Sequence, residues 1–468
     1  MESRTTTSFH LPVRPTFAAR PTADAPLDSV RLEAEYIQVA EGLGGDAPSH
    51  EAGDAFLSTT NALYHGGPVQ WSFVPKIFSS RDLGYLAWIA ETMGGIMEKV
   101  TARFVEDADF RALFKLDPAI ERLACMPNAF PVQIPIARVD IFLDEVTGAF
   151  KFCELNTDGS SGMLVTEEVT RANLLTATGS EFARRHGVAA FDIYGACVEA
   201  ILSCYRDAGG SAARPRVAAV DYAESIVREE IEEFGRVFAE HGAELRFTDI
   251  RDLRYVDGVL RDAAGTIDCV WRRVVISEML EKPCDGADAL MACAEDGRVP
   301  IVGGFRTWPC ATKTVFAVLH SETVEDVLTS AERAFVREHV PATYLLDASS
   351  DLAPFSERER WIAKPRDGYN SIGVRAGRDC TDVEWRAVLD EVAQSGGIVQ
   401  EYVVPYASSN VEGGVAGQDR PFEPYMNMEG LFLFNGRFSG VFTRCGQASV
   451  IGEFAGRLNM GCLVVEGA

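Results

Sequence analysis

Apolar residues spaced three and four positions apart predict helices along the first quarter of the chain, over residues 30–117. Polar and apolar residues then alternate over 135–156, which predicts two strands joined by a turn. Helical spacing returns over 166–185 and 190–206. We therefore expect residues 29–212 to form a helical segment with a strand hairpin at its centre.

A strand-helix-strand pattern predicts a second unit over residues 213–298. Residues 217–220 and 244–248 have the apolar character of buried strands, and residues 224–241 between them have helical spacing. Residues 268–276 predict a further strand that carries two arginines. No GxGxxG motif follows the first strand, which argues against a dinucleotide site.

The last section, residues 299–468, again mixes helices with strands. Helical spacing occurs near 323–339, and strand patterns occur over 361–365 and 397–404. An Asn435-Gly436 pair between apolar runs predicts a β-hairpin. The whole pattern predicts an α/β fold of the mixed α+β kind, built from these three units.

Two segments lack this periodicity. Residues 1–28 are rich in Ser, Thr, Ala and Pro and contain no apolar run of the secretory type, so we expect an N-terminal arm. Residues 408–424 are rich in Gly, Asn and Asp, and we expect a mobile loop there.

Composition and charge narrow the class of protein. A chain of 468 residues with 47% hydrophobic residues can bury a large core. Its net charge of −25 argues against nucleic acid or membrane partners, although such acidity also simply keeps proteins soluble. The eleven cysteines include no CxxC pair, so neither a zinc site nor a disulfide framework is indicated. No stretch has transmembrane length, and we expect a cytoplasmic protein.

The predicted hairpin carries the residues that most directly indicate chemistry. If its turn lies at 144–148, Asp140 is opposite Glu154. Arg138 is then opposite Asn156, and strand alternation places all four side chains on one face. Two carboxylates and an amide oxygen suit Mg²⁺, and Arg138 can then meet a phosphate oxygen, whereas an ordinary hairpin with a solvated polar face is the alternative. The opposite face is predicted to hold Val139, Ile141, Cys153 and Leu155.

Small polar residues follow the hairpin, from Thr157 to Gly162 with Ser160 and Ser161 between them. Such a run brings backbone donors close to an anionic substrate. It favours a binding site over the solvated alternative for the hairpin.

Two lysines are candidates for phosphate binding. Lys364 ends a predicted strand, and the loop after it contains Gly368 and Ser371, so the loop can close over phosphates and exclude water. Lys313 is the second candidate, with a solvated lysine at a helix start as the alternative.

Two strands complete the candidate set. The strand over 397–404 contains Gln400-Glu401-Tyr402-Val403, where backbone groups and the Glu401 side chain can meet an adenine ring. A plain strand end is the alternative. Arg444 lies in a later strand, where it can stabilise charge on a transferring phosphoryl group or form an ordinary ion pair.

Taken together, these motifs resemble the ATP-grasp superfamily. Its members bind Mg·ATP with a Lys-Pro strand and a glycine-rich loop, a Glu-bearing adenine hinge, and an Asp followed by Glu-x-Asn. Here Asp140 and the Glu154-Leu155-Asn156 motif precede Lys364 by more than 200 positions, whereas they come last in most members. This order resembles the circularly permuted branch that includes the synthetase domain of glutathionylspermidine synthase.

The resemblance implies an ATP-grasp fold with permuted motif order and a preATP-grasp-like unit over 213–298. It implies two Mg²⁺ ions, with Asp140, Glu154 and Asn156 as their ligands. It implies that ATP is contacted by Lys313, Lys364, Gly368, Ser371, Gln400, Glu401, Tyr402 and Val403. It also implies that Arg138 and Arg444 contact the reacting phosphate. The carboxylate substrate is then expected to contact Ser160 and Ser161, and a polyamine is expected to contact Glu229 and Glu230. A solvated acidic helix face is the alternative for the last pair.

The implied activity joins a carboxylate to an amine through an acyl phosphate and releases ADP and phosphate. Glutathione and a polyamine are the substrates of the resembled branch. A ligase for another amino-acid or peptide carboxylate and a non-catalytic ATP-binding protein are the alternatives. The cysteine amidase that precedes the synthetase in bifunctional relatives has no recognisable counterpart in the first 130 residues.

Overall fold

Helices and strands alternate through the described part of the computed structural model, which comprises residues 8–9, 26–64, 67–368, 371–413, 421–452 and 455–466. The α-helices are α1 (Asp28–Gly42), α2 (Ala47–Leu57), α3 (Ser80–Glu106), α4 (Ala108–Ala112), α5 (Pro118–Ala124), α6 (Met163–Leu175), α7 (Ala177–His186), α8 (Ile193–Asp207), α9 (Arg228–Glu240), α10 (Ile276–Glu281), α11 (Asp285–Asp296), α12 (Trp308–Ala311), α13 (Thr314–Leu319), α14 (Ser330–His339) and α15 (Asp382–Ser395). The strands are β1 (Ser8–Phe9), β2 (Leu63–Tyr64), β3 (Gly67–Pro68), β4 (Lys76–Ser79), β5 (Ile136–Leu143), β6 (Phe150–Asn156), β7 (Val188–Phe191), β8 (Arg216–Asp221), β9 (Glu244–Asp249), β10 (Arg254–Val256), β11 (Val259–Asp262), β12 (Gly265–Thr266), β13 (Cys269–Arg272), β14 (Ile301–Val302), β15 (Thr343–Leu345), β16 (Trp361–Lys364), β17 (Arg375–Ala376), β18 (Ile398–Glu401), β19 (Ala407–Asn410), β20 (Glu423–Phe434), β21 (Arg437–Gly446), β22 (Leu458–Met460) and β23 (Cys462–Val465).

Three sheets carry the residues of functional interest. The first has the order β22-β21-β20-β5-β6, with β19 also paired to β20, and its strands are antiparallel. The second is antiparallel with the order β15-β18-β16-β17. The third is parallel with the order β14-β13-β8-β9. The first sheet therefore joins the early hairpin to strands from the last section of the chain.

Helix α3 packs against β20 and β21 of the first sheet. Its start is defined by a capping box, in which Ser79 Oγ accepts from the Asp82 backbone N–H at 3.2 Å while the Asp82 carboxylate accepts from the Ser79 N–H at 3.1 Å. Its buried face includes Met93 and Ile96, which belong to one core cluster with Leu431 and Leu433 of β20. The long amphipathic helix thus covers one side of the sheet.

A buried group of charges lies where β4, α1 and β20 meet. Lys76 Nζ is 3.0 Å from Glu33 and 4.0 Å from Glu429, and it also pairs with Glu145. Lys76, Glu145 and Glu429 have no solvent exposure, and Glu33 has 4%. Burial raises the pKa of Glu33 to about 7 and that of Glu429 to about 8, against the opposing effect of Lys76.

Most predicted elements are present, with differences at their ends. A short strand, β7, separates the two helical stretches around residue 190. The predicted strand over 268–276 ends at Arg272, and α10 begins at Ile276. The helix near 323–339 begins only at Ser330, because Thr329 and Glu332 form a capping box there.

The hairpin predicted at Asn435-Gly436 joins β20 to β21. Both residues have positive φ, 47° and 71°, as a tight two-residue turn between twisted strands requires. This prediction is confirmed.

The two segments without periodicity are only partly described. Within residues 1–28, β1 pairs with β7 and α1 begins at Asp28, and residues 1–7 and 10–25 lie outside the described residues. Within 408–424, β19 pairs with β20, so the predicted loop begins with a strand, and residues 414–420 lie outside the described residues. No helix in the described ranges is long and apolar enough to cross a membrane.

Candidate active site

Strand pairing in the β5–β6 hairpin matches the register expected from the sequence. Asp140 pairs with Glu154, and Arg138 pairs with Asn156. The turn occupies the residues between Leu143 and Phe150, where the Asp144 N–H donates to the Ala149 carbonyl at 2.8 Å. The predicted juxtaposition of these side chains is thus confirmed as a strand register.

A β-bulge changes the face on which Cys153 lies. The register shifts between Asp140 and Ile141, so that Ile141 pairs with Phe152 and Cys153 has no partner on β5. An extra residue in one strand breaks the alternation of side chains. Cys153 consequently lines the same cavity as Glu154, and the prediction that it points to the opposite face was wrong.

The Asp140 carboxylate lies between two arginines. Arg138 donates to it through Nε at 2.7 Å and through Nη2 at 3.0 Å, and Arg444 of β21 donates to its Oδ2. Asp140 is fully buried, and Arg138 and Arg444 are 6% and 7% exposed. Both guanidinium groups also lie over the Phe442 ring, at 5.0 and 5.1 Å. Three buried charges are therefore held in a fixed arrangement.

Gly430 of β20 makes this arrangement possible. Strand β20 lies between β5 and β21, and Gly430 pairs with Asp140 of β5. A Cβ atom at this position would lie 2.7 Å from Arg138 Cδ and 2.8 Å from Asp140 Oδ1. Any residue with a side chain would therefore displace the ion pair.

The two predicted phosphate lysines meet beside Glu154. Lys313 Nζ lies 3.0 Å from Glu154 Oε1, and it also donates to the Gly368 carbonyl. Lys364 Nζ donates to Gln400 Oε1 at 2.7 Å and to the Cys153 carbonyl at 3.3 Å. The bulge at Cys153 thus supplies one of the acceptors for Lys364.

Neighbouring cationic side chains keep the Glu154 carboxylate ionised. Burial acts to raise the pKa of Glu154, but Lys313, and then Lys364 and Arg444, outweigh it and lower that pKa to about 2. Burial lowers the pKa of Lys364 from its ordinary value. Lys313 and Lys364 therefore both lie beside the ionised Glu154 carboxylate.

Glu154, Lys313, Lys364 and Arg444 line one cavity between the first and second sheets. All eight residues predicted to contact ATP line it, together with Glu154 and Arg444. The predicted nucleotide residues, which are far apart in the chain, therefore converge on one volume, whereas Arg138, Asp140 and Asn156 do not line it.

The fold has a counterpart among solved structures. A glutathione synthetase-like effector from Globodera pallida, in its apo form, has a TM-score of 0.57 to this chain at 12% sequence identity, over 94% of this chain and 98% of the effector. The chain shares its fold with that effector. A candidate γ-glutamylcysteine synthetase from Methylobacillus flagellatus KT aligns at a TM-score of 0.41 and 11% identity, over 80% of this chain and 88% of that protein. No protein-family model and no curated protein matches the sequence.

Three arginines hold the loop that follows the hairpin. Arg272 pairs with the Asp158 carboxylate, and Arg273 donates to the Ser160 carbonyl at 2.6 Å. Arg138 donates to the Ser161 carbonyl at 2.7 Å. Ser160 and Ser161 lie outside the cavity described above but are joined to its Asp140 cluster through Arg138.

The two predicted polyamine contacts differ in environment. Glu230 is 4% exposed, and its carboxylate lies 3.0 Å from Arg273, the residue that also holds Ser160. Glu229 is half-buried in the first turn of α9 and does not line the cavity. Amine binding by either residue stays a prediction, and at Glu230 it requires exchange of the ion pair with Arg273.

The Glu154 carboxylate suits a hard cation, because nearby lysines keep it ionised. The described residues contain no group of three His, Cys, Asp or Glu that could hold a metal by itself, so substrate oxygens would have to complete the shell, as is usual for Mg²⁺. Asp140 is engaged by both arginines, and its role as a ligand stays a prediction.

Some residues of the site had not been found from the sequence. Apolar side chains form the walls of the cavity: Phe142, Ile362, Val374, Met428, Val450 and Ile451. Strand alternation carries a signal for two of them, because Phe142 and Ile362 lie two positions from Asp140 and Lys364.

Proposed function

We propose that the protein is an ATP-dependent ligase that joins a carboxylate to an amine through an acyl phosphate. The observation that carries this proposal is the convergence of Lys313, Lys364, Glu154 and Arg444 on one apolar-walled cavity. Two fixed cations suit a polyphosphate, and apolar walls suit a flat base. The fold shared with a glutathione synthetase-like effector supports the same class.

The cavity lining offers apolar side chains for a base beside cationic groups for phosphates. Its apolar residues include Ile362, Val374 and Met428. Tyr402 Oη donates to the Ser449 carbonyl at 2.9 Å, which ties the strand-end segment to the opposite wall. An adenine ring against these apolar residues leaves the phosphates beside Lys313 and Lys364.

Mg²⁺ would be held by Glu154 and Asn156, with Asp140 as a further oxygen ligand. When bound, the ion neutralises phosphate charge and the charge that develops during phosphoryl transfer. Lys313 and Lys364 orient the β- and γ-phosphates, and Arg444 faces the position of the transferring group.

The chemical steps follow from these contacts. The substrate carboxylate attacks the γ-phosphorus, the bond to the bridging oxygen breaks, and ADP leaves. The amine then attacks the acyl phosphate and phosphate departs, so that an amide forms. Arg138 and Arg444 stabilise negative charge on the reacting oxygens from fixed positions, which costs no reorganisation during the reaction.

The carboxylate and amine are the finer part of the proposal. The motif order resembles glutathionylspermidine synthase, which favours glutathione and a polyamine. The fold neighbour is a glutathione synthetase-like effector, which favours a γ-glutamyl peptide and an amino acid. In both substrate pairs, the peptide carboxylate would bind beside Ser160 and Ser161.

The experiment is ADP release from Mg·ATP by the purified protein with carboxylates crossed against amines. The panel includes glutathione, γ-glutamylcysteine, glycine and polyamines, and mass spectrometry identifies the amide. Release that requires one carboxylate and one amine supports a ligase and names its substrates. Bound ATP without release for any pair contradicts the ligase and favours a non-catalytic ATP-binding protein.

A variant pair ties the activity to the cavity. Lys364→Met is expected to abolish release, whereas Lys282→Met, on a lysine 42% exposed in its side chain, is expected to leave it unchanged. Equal activity of the two variants would contradict the site.

A further inference from the structure

Gln400 lines the cavity, and its side chain also contacts Lys364. Gln400 pairs with Ile362 on β16, two positions before Lys364, so the glutamine is a diagonal neighbour of the lysine on the same sheet. Its Oε1 accepts from Lys364 Nζ at 2.7 Å. Gln400 is 2% exposed and Lys364 is 6% exposed.

A second contact fixes the orientation of the Gln400 amide. Its Nε2 donates to Thr343 Oγ1 at 2.8 Å, and Thr343 Oγ1 in turn donates to the Pro341 carbonyl at 2.9 Å. An ammonium group can only donate, so the amide oxygen must face Lys364. In the series Lys364, Gln400, Thr343 and Pro341, each contacting atom is therefore fixed as either a hydrogen-bond donor or an acceptor toward the next residue.

A neutral acceptor at this position has a physical consequence. A carboxylate here would form an ion pair with Lys364 in a buried setting, and much of the positive charge would be unavailable to a phosphate. An apolar side chain would leave the buried ammonium with the Cys153 carbonyl at 3.3 Å as its one hydrogen-bond acceptor among the described residues. The amide holds the lysine in place without neutralising it.

We propose that Gln400, fixed by Thr343, is a positioning residue that aims Lys364 at the nucleotide phosphates, and that it does not read the adenine base. The inference rests on the proposed nucleotide site. The sequence placed Gln400 in the adenine hinge without a role for its side chain; the proposal gives that side chain a role and adds Thr343 to the functional residues.

The test compares the affinities of ATP and adenosine, since only ATP carries the phosphates. Gln400→Met and Gln400→Glu are each expected to weaken ATP binding by about tenfold or more and to change adenosine binding by less than about twofold. Gln394→Met, at an exposed position of α15, is the matched control and is expected to change neither affinity.

Two comparisons separate positioning from a general loss of structure. In a Lys364→Met background, Gln400→Met is expected to have no further effect on ATP affinity, because it acts through the lysine. Thr343→Val is expected to weaken ATP binding. Thr343→Ser, which keeps the hydroxyl, is expected to have the ATP affinity of the wild-type protein. If a Gln400 variant does not fold, the two Thr343 variants still test the positioning role.

The outcomes are distinct. Loss of adenosine affinity in Gln400→Met, or additive losses in the double variant, would overturn the positioning role. ATP binding without ADP release for any substrate pair would overturn the ligase alone and leave this comparison intact. A wild-type protein that binds neither ATP nor adenosine would overturn both.

Discussion

Arg444 donates to the Asp140 carboxylate across the intervening strand β20, from a position 304 residues later in the chain. The same carboxylate accepts two hydrogen bonds from Arg138. Asp140 therefore does more than offer oxygen atoms to a cation, because it also compensates two buried guanidinium groups. Its replacement affects the stability of the fold as well as the proposed activity.

Asp140→Asn is expected to lower the free energy of unfolding by about 3–5 kcal/mol, since two buried cations lose their counter-charge. Urea denaturation measures this change. Asp382→Asn is the matched control, because the Asp382 side chain is 93% exposed and its pairing with Arg358 contributes little. Equal stability of the two variants would contradict the role given to the Asp140 cluster.

Glu154→Gln is expected to lower ADP release by about 100-fold or more. The change removes the carboxylate that faces Lys313 and the proposed Mg²⁺. Chelation of Mg²⁺ is expected to stop release by the wild-type protein as well. Glu359→Gln, at a side chain 67% exposed, controls for loss of a carboxylate. Undiminished release by Glu154→Gln would remove this residue from the site.

Gly430→Ala is expected to destabilise the protein by about 1–3 kcal/mol, because the added methyl group displaces the Arg138–Asp140 pair. Gly95→Ala in α3 is the matched control, as an added Cβ there has no atom within 4 Å. This control is expected to stabilise the helix by about 0.5–1 kcal/mol. Unfolding midpoints in urea of the two variants should therefore move in opposite directions.

Glu429→Gln is expected to become more stable relative to the wild type as pH rises. In the native protein the pKa of Glu429 is raised to about 8, against an ordinary value of 4.5. Between these values the unfolded chain loses the proton and the native state keeps it, so wild-type stability falls as pH rises. Glutamine does not ionise, so the difference in unfolding free energy should grow by at most about 1.4 kcal/mol per pH unit.

Urea midpoints at pH 5, 6.5 and 8 measure this trend. Glu145→Gln is the comparison, because Glu145 pairs with both Lys76 and Ser29. Its loss is expected to lower stability throughout this range. A pH-independent difference between Glu429→Gln and the wild type would show that Glu429 is ionised in the fold.

Short-range patterns in the sequence predicted the local structure well where the signals were strong. The Asn435-Gly436 turn and the register of Asp140 with Glu154 both follow from strand alternation and turn chemistry. The bulge at Cys153 did not follow, because an extra residue in one strand depends on contacts such as that between its carbonyl and Lys364.

Long-range relationships were accessible only through the resemblance or not at all. The resemblance grouped Lys313, Lys364 and Gln400 to Val403, and these residues do share one cavity. It placed Gln400 in the adenine hinge but did not predict that its side chain contacts Lys364 and Thr343, which lies 57 positions away. The Lys76 cluster has no local signal, because its four members come from separate elements.

Pairing of β5 with β20 also has a consequence for the growing polypeptide. Asp140 pairs with Gly430, and at about 5–20 residues per second a ribosome needs roughly 15 to 60 s to add the residues between them. During that interval the β5 edge of the nascent hairpin has no partner, and its apolar residues are open to wrong pairings. Soluble yield should therefore depend on chaperones that act during translation.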